Sequence, residues 1–98
     1  MFVTPRFEWD SEKAHTNKQK HGVAFEEAQS VFYDENARFM PDPEHHGDEE
    51  RFLLLGMSLN PRILVVCHCY RSDDAIIRLI SARRATKKEQ ALYWERIR

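Results

Sequence analysis

The first segment with helical patterning lies near the N-terminus. Asp10 is a favourable helix N-cap, and the chain continues without a helix breaker as far as Gly22, which predicts a helix over Ser11–His21. Ala14 is the only apolar residue of this helix. Four of its polar residues fall within one arc of about 100°, namely Lys13, Asn17, Lys20 and His21. The helix is therefore either a solvated surface helix or one whose polar face has a function.

A second helix is predicted directly after the first. Residues Phe25–Asp34 place apolar side chains at helical spacing, namely Phe25, Ala28, Val31 and Phe32. Because Gly22 separates this segment from the first helix, the two are expected to form a helical hairpin.

Most of the remaining chain has the pattern of strands. Five are predicted, over Arg6–Trp9, Ala37–Met40, Arg51–Met57, Arg62–Tyr70 and Ala75–Arg83. Pro41–Asp48 is predicted to be a loop. Polar turns at Asn60-Pro61 and at Arg71–Asp74 join the last three strands into an antiparallel meander. In the last strand, alternation puts Ile77, Leu79 and Ser81 on one face and Arg78 and Ile80 on the other.

The C-terminal segment begins with a helix signal. Thr86-Lys87-Lys88-Glu89 matches the capping box, so a helix is expected to run from there towards Arg98. The element order predicts an α+β fold in which an antiparallel β-sheet meander packs with an N-terminal helical hairpin and a C-terminal helix.

Length and composition limit the possible classes of protein. The 98 residues are expected to form a single domain, residues 1–98. Hydrophobic residues make up 42% and charged residues 32%, which argues against intrinsic disorder. The longest apolar run, Ile63–Cys67, is far shorter than a membrane helix, and Met1–Asp10 has no signal-peptide core. We therefore expect a cytoplasmic protein without a membrane partner.

The formal net charge of −1 conceals an asymmetry along the chain. Arg78–Arg98 carries seven basic and two acidic residues, a net charge of +5, and the remainder carries −6. Five acidic residues fall within Pro41–Glu50. Such charge runs are solvated surface in most proteins, but here they also suggest partners of both signs.

Two cysteines flank a histidine in Cys67-His68-Cys69. On a strand His68 points away from both thiols, so the three side chains cannot share one metal ion. The cysteines are expected to be small buried hydrophobic residues without a disulfide. The other metal candidate is His45-His46, and no cofactor is expected.

Cations and imidazoles are the remaining groups that can support chemistry. The chain has no glycine-rich phosphate loop and no paired CxxC, HExxH or GxSxG motif. Arginine and lysine can bind phosphate oxygens without a metal, and a nearby histidine can transfer protons near neutral pH. The alternatives to a role in such chemistry are that Arg83 and Arg84 pair with Glu49, Glu50 or Glu89 at the surface, and that His21 interacts only with its helix C-terminus.

Two long motifs resemble the BrnT family of ribonuclease toxins. The first is Trp9-Asp10-x-x-Lys13-x-x-x-Asn17-x-x-Lys20-His21-Gly22-Val23-x-Phe25-x-x-Ala28, and the second is Arg78-x-Ile80-Ser81-Ala82-Arg83-Arg84-Ala85-Thr86. Between them, Gly47-Asp48-Glu49-Glu50-Arg51 and Val65-Val66 followed by Arg71 also resemble the family.

The resemblance implies a RelE-like fold and a type II toxin. Such a toxin cleaves RNA without a metal, inhibits translation, and is neutralised by a BrnA-like ribbon-helix-helix antitoxin. Operator DNA is then contacted only through the antitoxin. We predict that the basic end, Arg78–Arg98, faces RNA and that the acidic Pro41–Glu50 loop stays away from the phosphates. The active-site set implied by the resemblance is Lys13, His21, Arg51, Arg71, Arg83 and Arg84. A non-catalytic RNA- or protein-binding module and an inactive toxin that only binds its antitoxin are the alternative interpretations.

Overall fold

The computed structural model describes residues 6–43 and 50–97, which form one sheet and its flanking helices. In chain order the elements are β1 (Arg6–Glu8), α1 (Ser11–His21), α2 (Phe25–Ser30), a 3₁₀ turn (Val31–Tyr33), β2 (Arg38–Pro41), β3 (Phe52–Met57), β4 (Ile63–Arg71), β5 (Ile76–Arg84) and α3 (Lys87–Ile97). These are the predicted elements in the predicted order, which confirms the α+β class. The predicted Pro41–Asp48 loop lies mostly outside the described residues, and Pro41 itself ends β2.

The sheet is mixed, so the prediction of a purely antiparallel sheet is wrong. Its strand order is β1-β5-β4-β3-β2, and β2 to β5 pair antiparallel. The short strand β1, in contrast, runs parallel to β5, with Phe7 opposite Ile77 and Glu8 opposite Arg78. Parallel strands need a long crossover connection, and here most of the chain lies between the two partners. Turn signals between successive strands therefore carry no information on this pairing.

Two hydrophobic clusters lie on opposite faces of the sheet. The first joins α1, α2 and the 3₁₀ turn to the sheet, and its buried members include Phe25, Val31 and Leu79. The second joins α3 to the other face through residues such as Leu55 and Tyr93. Helices thus cover both faces of the sheet. None of the helices within residues 6–43 and 50–97 has the length and apolar character that crossing a membrane requires.

The strand β5 contains a bulge that changes which side chains face α1 and α2. Cys67 lies opposite Ser81 and His68 lies opposite Leu79, so Ile80 has no partner in β4. Beyond the bulge, Ala82 joins the same buried cluster as Ile77 and Leu79. The predicted alternation therefore holds up to Leu79. After the bulge, Ala82 faces α1 and α2, whereas the prediction placed Ser81 there. An extra residue in one strand of an antiparallel pair has this effect.

The ends of α1 are formed as the sequence predicts. The Asp10 carboxylate accepts hydrogen bonds from the N–H groups of Glu12 and Lys13, at 2.8 and 3.1 Å. Gly22 adopts a left-handed conformation with φ +69°, and its N–H donates to the Lys18 carbonyl at 2.8 Å. These two caps fix the length of α1 and hence the positions of its polar side chains.

The helix α2 is shorter than predicted, because regular helix stops at Ser30 instead of reaching Asp34. The Ser30 hydroxyl donates to the Glu27 carbonyl at 2.5 Å and accepts from the Leu59 N–H at 2.9 Å. These side-chain bonds compete with continued helix, and the chain tightens into the 3₁₀ turn instead.

Candidate active site

A polar groove runs between α1 and the edge of β5. Its volume is about 350 Å³, and it is lined by Glu12, Lys13, Thr16, Asn17, Lys20, His21, Ile80 and Ser81. Two residues of the predicted active-site set, Lys13 and His21, therefore share one groove. Lys13 is exposed and His21 is partly buried. Lys20 adds a second lysine to the groove.

The groove exists because β1 is short. Its pairing with β5 ends at Glu8 opposite Arg78, so the later residues of β5 have no neighbouring strand on that side. The Asn17 side chain takes the place of a strand there: its Nδ2 donates to the Ala82 carbonyl at 2.9 Å, and its Oδ1 accepts from the Ala82 N–H at 3.0 Å. The same Nδ2 also donates to the Val23 carbonyl at 2.9 Å. Asn17 is the buried residue of α1 and attaches this polar helix to the sheet.

Lys13, Asn17 and His21 succeed one another at intervals of four residues. They therefore form one row along α1, with the Asn17 anchor in the middle. At 1.5 Å rise per residue, the Cα atoms of Lys13 and His21 lie about 12 Å apart along the helix axis. This spacing places a cation at one end of the groove and an imidazole at the other. Lys20, next to His21, supplies positive charge at the imidazole end.

Arg71 lies in a separate charged cluster at the junction of β1, β4 and β5. Its Nε is 3.7 Å from the Glu8 carboxylate, and Arg78 donates to the same carboxylate at 2.6 Å. The Arg71 side chain is more than half exposed. Glu8 therefore partly neutralises both arginines at this end of the sheet.

Arg83 projects towards α3, on the face of the sheet opposite α1. Its two terminal nitrogens donate to the two carboxylate oxygens of Glu89, at 2.7 and 2.9 Å. This bidentate bond lowers the pKa of Glu89 to about 2 and raises the pKa of Arg83. Glu89 also accepts from the Thr86 N–H at 2.9 Å and completes the predicted capping box. The predicted alternative, in which Arg83 pairs with Glu89, is thus present in the structure.

Arg84 and Arg51 also lie outside the groove that Lys13 and His21 share, and each has a different location. Arg84 is exposed at the end of β5, where it lines a hollow with Arg62 and Trp94. Arg51 directly precedes β3 and is close enough to Cys67 to favour its thiolate. The structure therefore groups Lys13 with His21 and distributes Arg51, Arg71, Arg83 and Arg84 over other parts of the surface.

The cysteines and His68 have the environments that the strand pattern predicts. Cys67 and Cys69 are both buried and free of disulfides. Burial, with Asp42 nearby, raises the pKa of the Cys67 thiol to about 11. His68 is fully buried on the other face, against Phe32. The three side chains are thus directed to both faces of the sheet, and His45-His46 lies outside the described residues.

Sequence reasoning found some features of this site and missed others. The polar arc predicted on α1 contains Asn17 and Lys20, but the predicted active-site set includes neither of them. The sequence does not predict the burial of Asn17, because a lone asparagine on a polar helix carries no signal that the edge of a strand will cover it. The Glu8 cluster was missed because Glu8 and Arg78 are distant in sequence.

Comparisons with known proteins bear on what this arrangement does. Residues 9–89 match the model of a protein family described as the ribonuclease toxin BrnT of type II toxin–antitoxin systems. The crystal structure of the Brucella abortus ribonuclease toxin BrnT is similar to this fold, with a TM-score of 0.64 and 24% sequence identity. That similarity covers 86% of this chain and 100% of the Brucella chain. No curated protein sequence matches. Since the family model spans both motifs on α1 and β5, the chain belongs to the BrnT family of ribonuclease toxins of type II toxin–antitoxin systems.

Proposed function

We propose that this chain is an endoribonuclease toxin that cleaves RNA without a metal in the cytoplasm and thereby inhibits translation. We further propose that a BrnA-like ribbon-helix-helix antitoxin neutralises it and makes the only contact with operator DNA. Family membership supports the ribonuclease activity. The observation that carries the metal-independent mechanism is the groove between α1 and the edge of β5, the α1 groove, which is lined by Lys13, Lys20 and His21.

The groove residues suit RNA cleavage by the substrate's own 2′-OH. In that reaction the 2′ oxygen attacks the adjacent phosphorus, the P–O5′ bond breaks, and a 2′,3′-cyclic phosphate and a 5′-OH are formed. His21 is the proton-transfer group, taking the 2′-OH proton or donating one to the leaving 5′ oxygen. Lys13 stabilises the negative charge that develops on the phosphate oxygens. No covalent enzyme intermediate is required.

The four arginines of the implied set are proposed to bind the RNA around the groove. Arg51, Arg71 and Arg84 would contact phosphates along the strand, where arginine forks bind bidentately. Arg83 has a competitor, since Glu89 already occupies both terminal nitrogens of its guanidinium. An RNA phosphate must therefore displace Glu89 before Arg83 can contribute.

Purified protein incubated with single-stranded RNA and EDTA tests the proposal. His21→Ala and Lys13→Ala are each expected to reduce the cleavage rate about 100-fold or more, as loss of a proton-transfer or charge-stabilising group does. The matched controls are His15→Ala and Lys18→Ala, which remove the same residue types from exposed positions of α1 outside the groove. Both should cleave at the wild-type rate.

Three results would contradict the proposal. Cleavage that stops on addition of EDTA would refute metal independence. Wild-type cleavage by His21→Ala would remove the imidazole from the mechanism. RNA binding without products would instead favour the alternative of a non-catalytic binding module on the same scaffold.

Arg83 needs its own comparison because its ion pair gives it a structural role. If Arg83 contacts phosphate, Arg83→Ala loses cleavage, whereas Glu89→Gln frees the guanidinium and keeps or increases it. If Arg83 only stabilises the start of α3, both variants lower the melting temperature and cleavage follows the folded fraction. Thermal denaturation measured beside cleavage separates these outcomes.

A further inference from the structure

Exposed apolar side chains concentrate in one place on the surface. Among the described residues, five large hydrophobic side chains are exposed, and four of these line a single groove of about 550 Å³: Tyr33, Leu59, Trp94 and Ile97. This groove, the α3 groove, is bounded by the 3₁₀ turn, by the turn after β3 and by α3. The fifth exposed residue, Phe39, lies on the edge strand β2 outside the groove. Contiguous exposed apolar surface of this kind marks interaction sites.

The residues that line the α3 groove include no positively charged side chain that could bind a phosphate. The single charged residue among its lining residues is Asp34. The carboxylate of Asp34 already accepts hydrogen bonds from the Met57 N–H at 2.8 Å and the Tyr93 hydroxyl at 2.7 Å. An apolar groove with one satisfied carboxylate does not suit RNA, whose binding depends on cations. It suits the apolar side chains of a protein.

One flank of the α3 groove is positively charged. An adjoining hollow shares Met57 and Trp94 with the groove and is also lined by Arg62 and Arg84. Arg62 is bound to Glu27 in an ion pair. Within the part of the chain that the structure describes, the Arg84 guanidinium makes no ion pair, so a partner carboxylate can reach it. The fitting partner is therefore apolar along one stripe and acidic at one border of that stripe.

We propose that the α3 groove is the docking site of the protein antitoxin, which inserts an amphipathic helix there. Apolar side chains spaced one helical turn apart fill the space around Leu59 and Trp94, and an acidic residue of that helix pairs with Arg84. The inference rests on the proposed function, because the antitoxin is the partner that a type II toxin requires. The α3 groove and the α1 groove share no lining residue, so each can be altered separately.

The test compares two matched exposed residues. Leu59→Asp places a charge in the α3 groove, and Phe39→Asp makes the same kind of change outside it; the two side chains are 72% and 59% exposed. The probe is the protein encoded by the reading frame adjacent to the gene of this chain, titrated calorimetrically against each variant. Leu59→Asp is expected to raise the Kd about 30-fold or more, the effect of losing an interface hot spot. Phe39→Asp should bind like wild type.

Several outcomes would overturn the proposal. It fails if Leu59→Asp binds within threefold of wild type, if Phe39→Asp weakens binding equally, or if the wild-type chain does not bind the probe. It also fails if light scattering shows a wild-type dimer that Leu59→Asp dissociates, because the occupant is then a second copy of this chain. RNA cleavage by Leu59→Asp alone is expected at the wild-type rate. Absence of cleavage by the wild-type protein would refute the proposed activity, whereas the titration would still test the surface.

Discussion

The hydrogen bonds of Asn17 predict a large effect from a small substitution. Asn17→Ala removes three bonds of 2.9, 2.9 and 3.0 Å, and it leaves the Ala82 N–H and carbonyl and the Val23 carbonyl without these partners. The asparagine is only 6% exposed, so water does not replace the amide freely. At about 1 kcal/mol per bond, the free energy of unfolding should fall by about 3 kcal/mol. For a domain of this size, that corresponds to a decrease of more than about 10 °C in Tm.

Urea denaturation and thermal denaturation measure this loss, with Thr16→Ala as the control. Thr16 is the exposed neighbour of Asn17 on α1, and its loss should change the unfolding free energy by less than about 0.5 kcal/mol. Asn17→Asp is a second probe, since it keeps the acceptor for the Ala82 N–H but brings a carboxylate against two carbonyl oxygens. It should be at least as destabilised as Asn17→Ala. A loss below about 1 kcal/mol in Asn17→Ala would refute the conclusion that this side chain holds α1 on the sheet.

Two further predictions concern the interior. Burial lowers the pKa of His68 to about 4, so between pH 6.5 and 4 the unfolded chain binds a proton that the folded chain does not. The free energy of unfolding should therefore fall by about 2 kcal/mol from pH 7 to pH 5. Urea titrations at the two pH values measure this decrease, and His68→Phe should abolish most of it. If the decrease is unchanged in His68→Phe, His68 is not its source. Gly56→Ala should destabilise the fold by about 1–3 kcal/mol, because the added Cβ would lie 2.8 Å from Val31 Cγ1 and 3.0 Å from Ala37 Cβ. Denaturation at neutral pH checks this, and wild-type stability would mean that the 3₁₀ turn moves away without cost.

Local signals predicted most of the fold. The caps at Asp10 and Gly22 defined α1 because each satisfies backbone groups at a helix end by itself. The meander followed from short polar turns, which force successive strands to pair. The parallel pairing of β1 had no such signal, because it depends on the chain returning to Glu8 after most of its length.

The bulge at Ile80 explains why the predicted site residues do not all converge. Regular alternation from Ile77 through Leu79 would carry Arg83 onto the face that α1 covers. Because Ile80 is left out of the pairing with β4, Arg83 instead projects towards α3 and meets Glu89. A one-residue change in register moves every later side chain to the other face. Nothing in the residue types around Ile80 distinguishes a bulge from regular strand.

The fold also shows which of the positively charged side chains are available to bind a partner. Arg78, one of the cations that give Arg78–Arg98 its net charge of +5, is paired with Glu8, a carboxylate outside that segment, whereas the pairing of Arg83 with Glu89 is already counted in the sum. The lysines of the α1 groove, in contrast, belong to the part of the chain whose summed charge is −6. A sum along the sequence therefore overstates the positive charge available at the C-terminal end and hides the charge on α1. If RNA binds in the α1 groove, its phosphates meet lysines that no net-charge count would select, and Arg84 is the cation for which RNA and an acidic protein partner would compete.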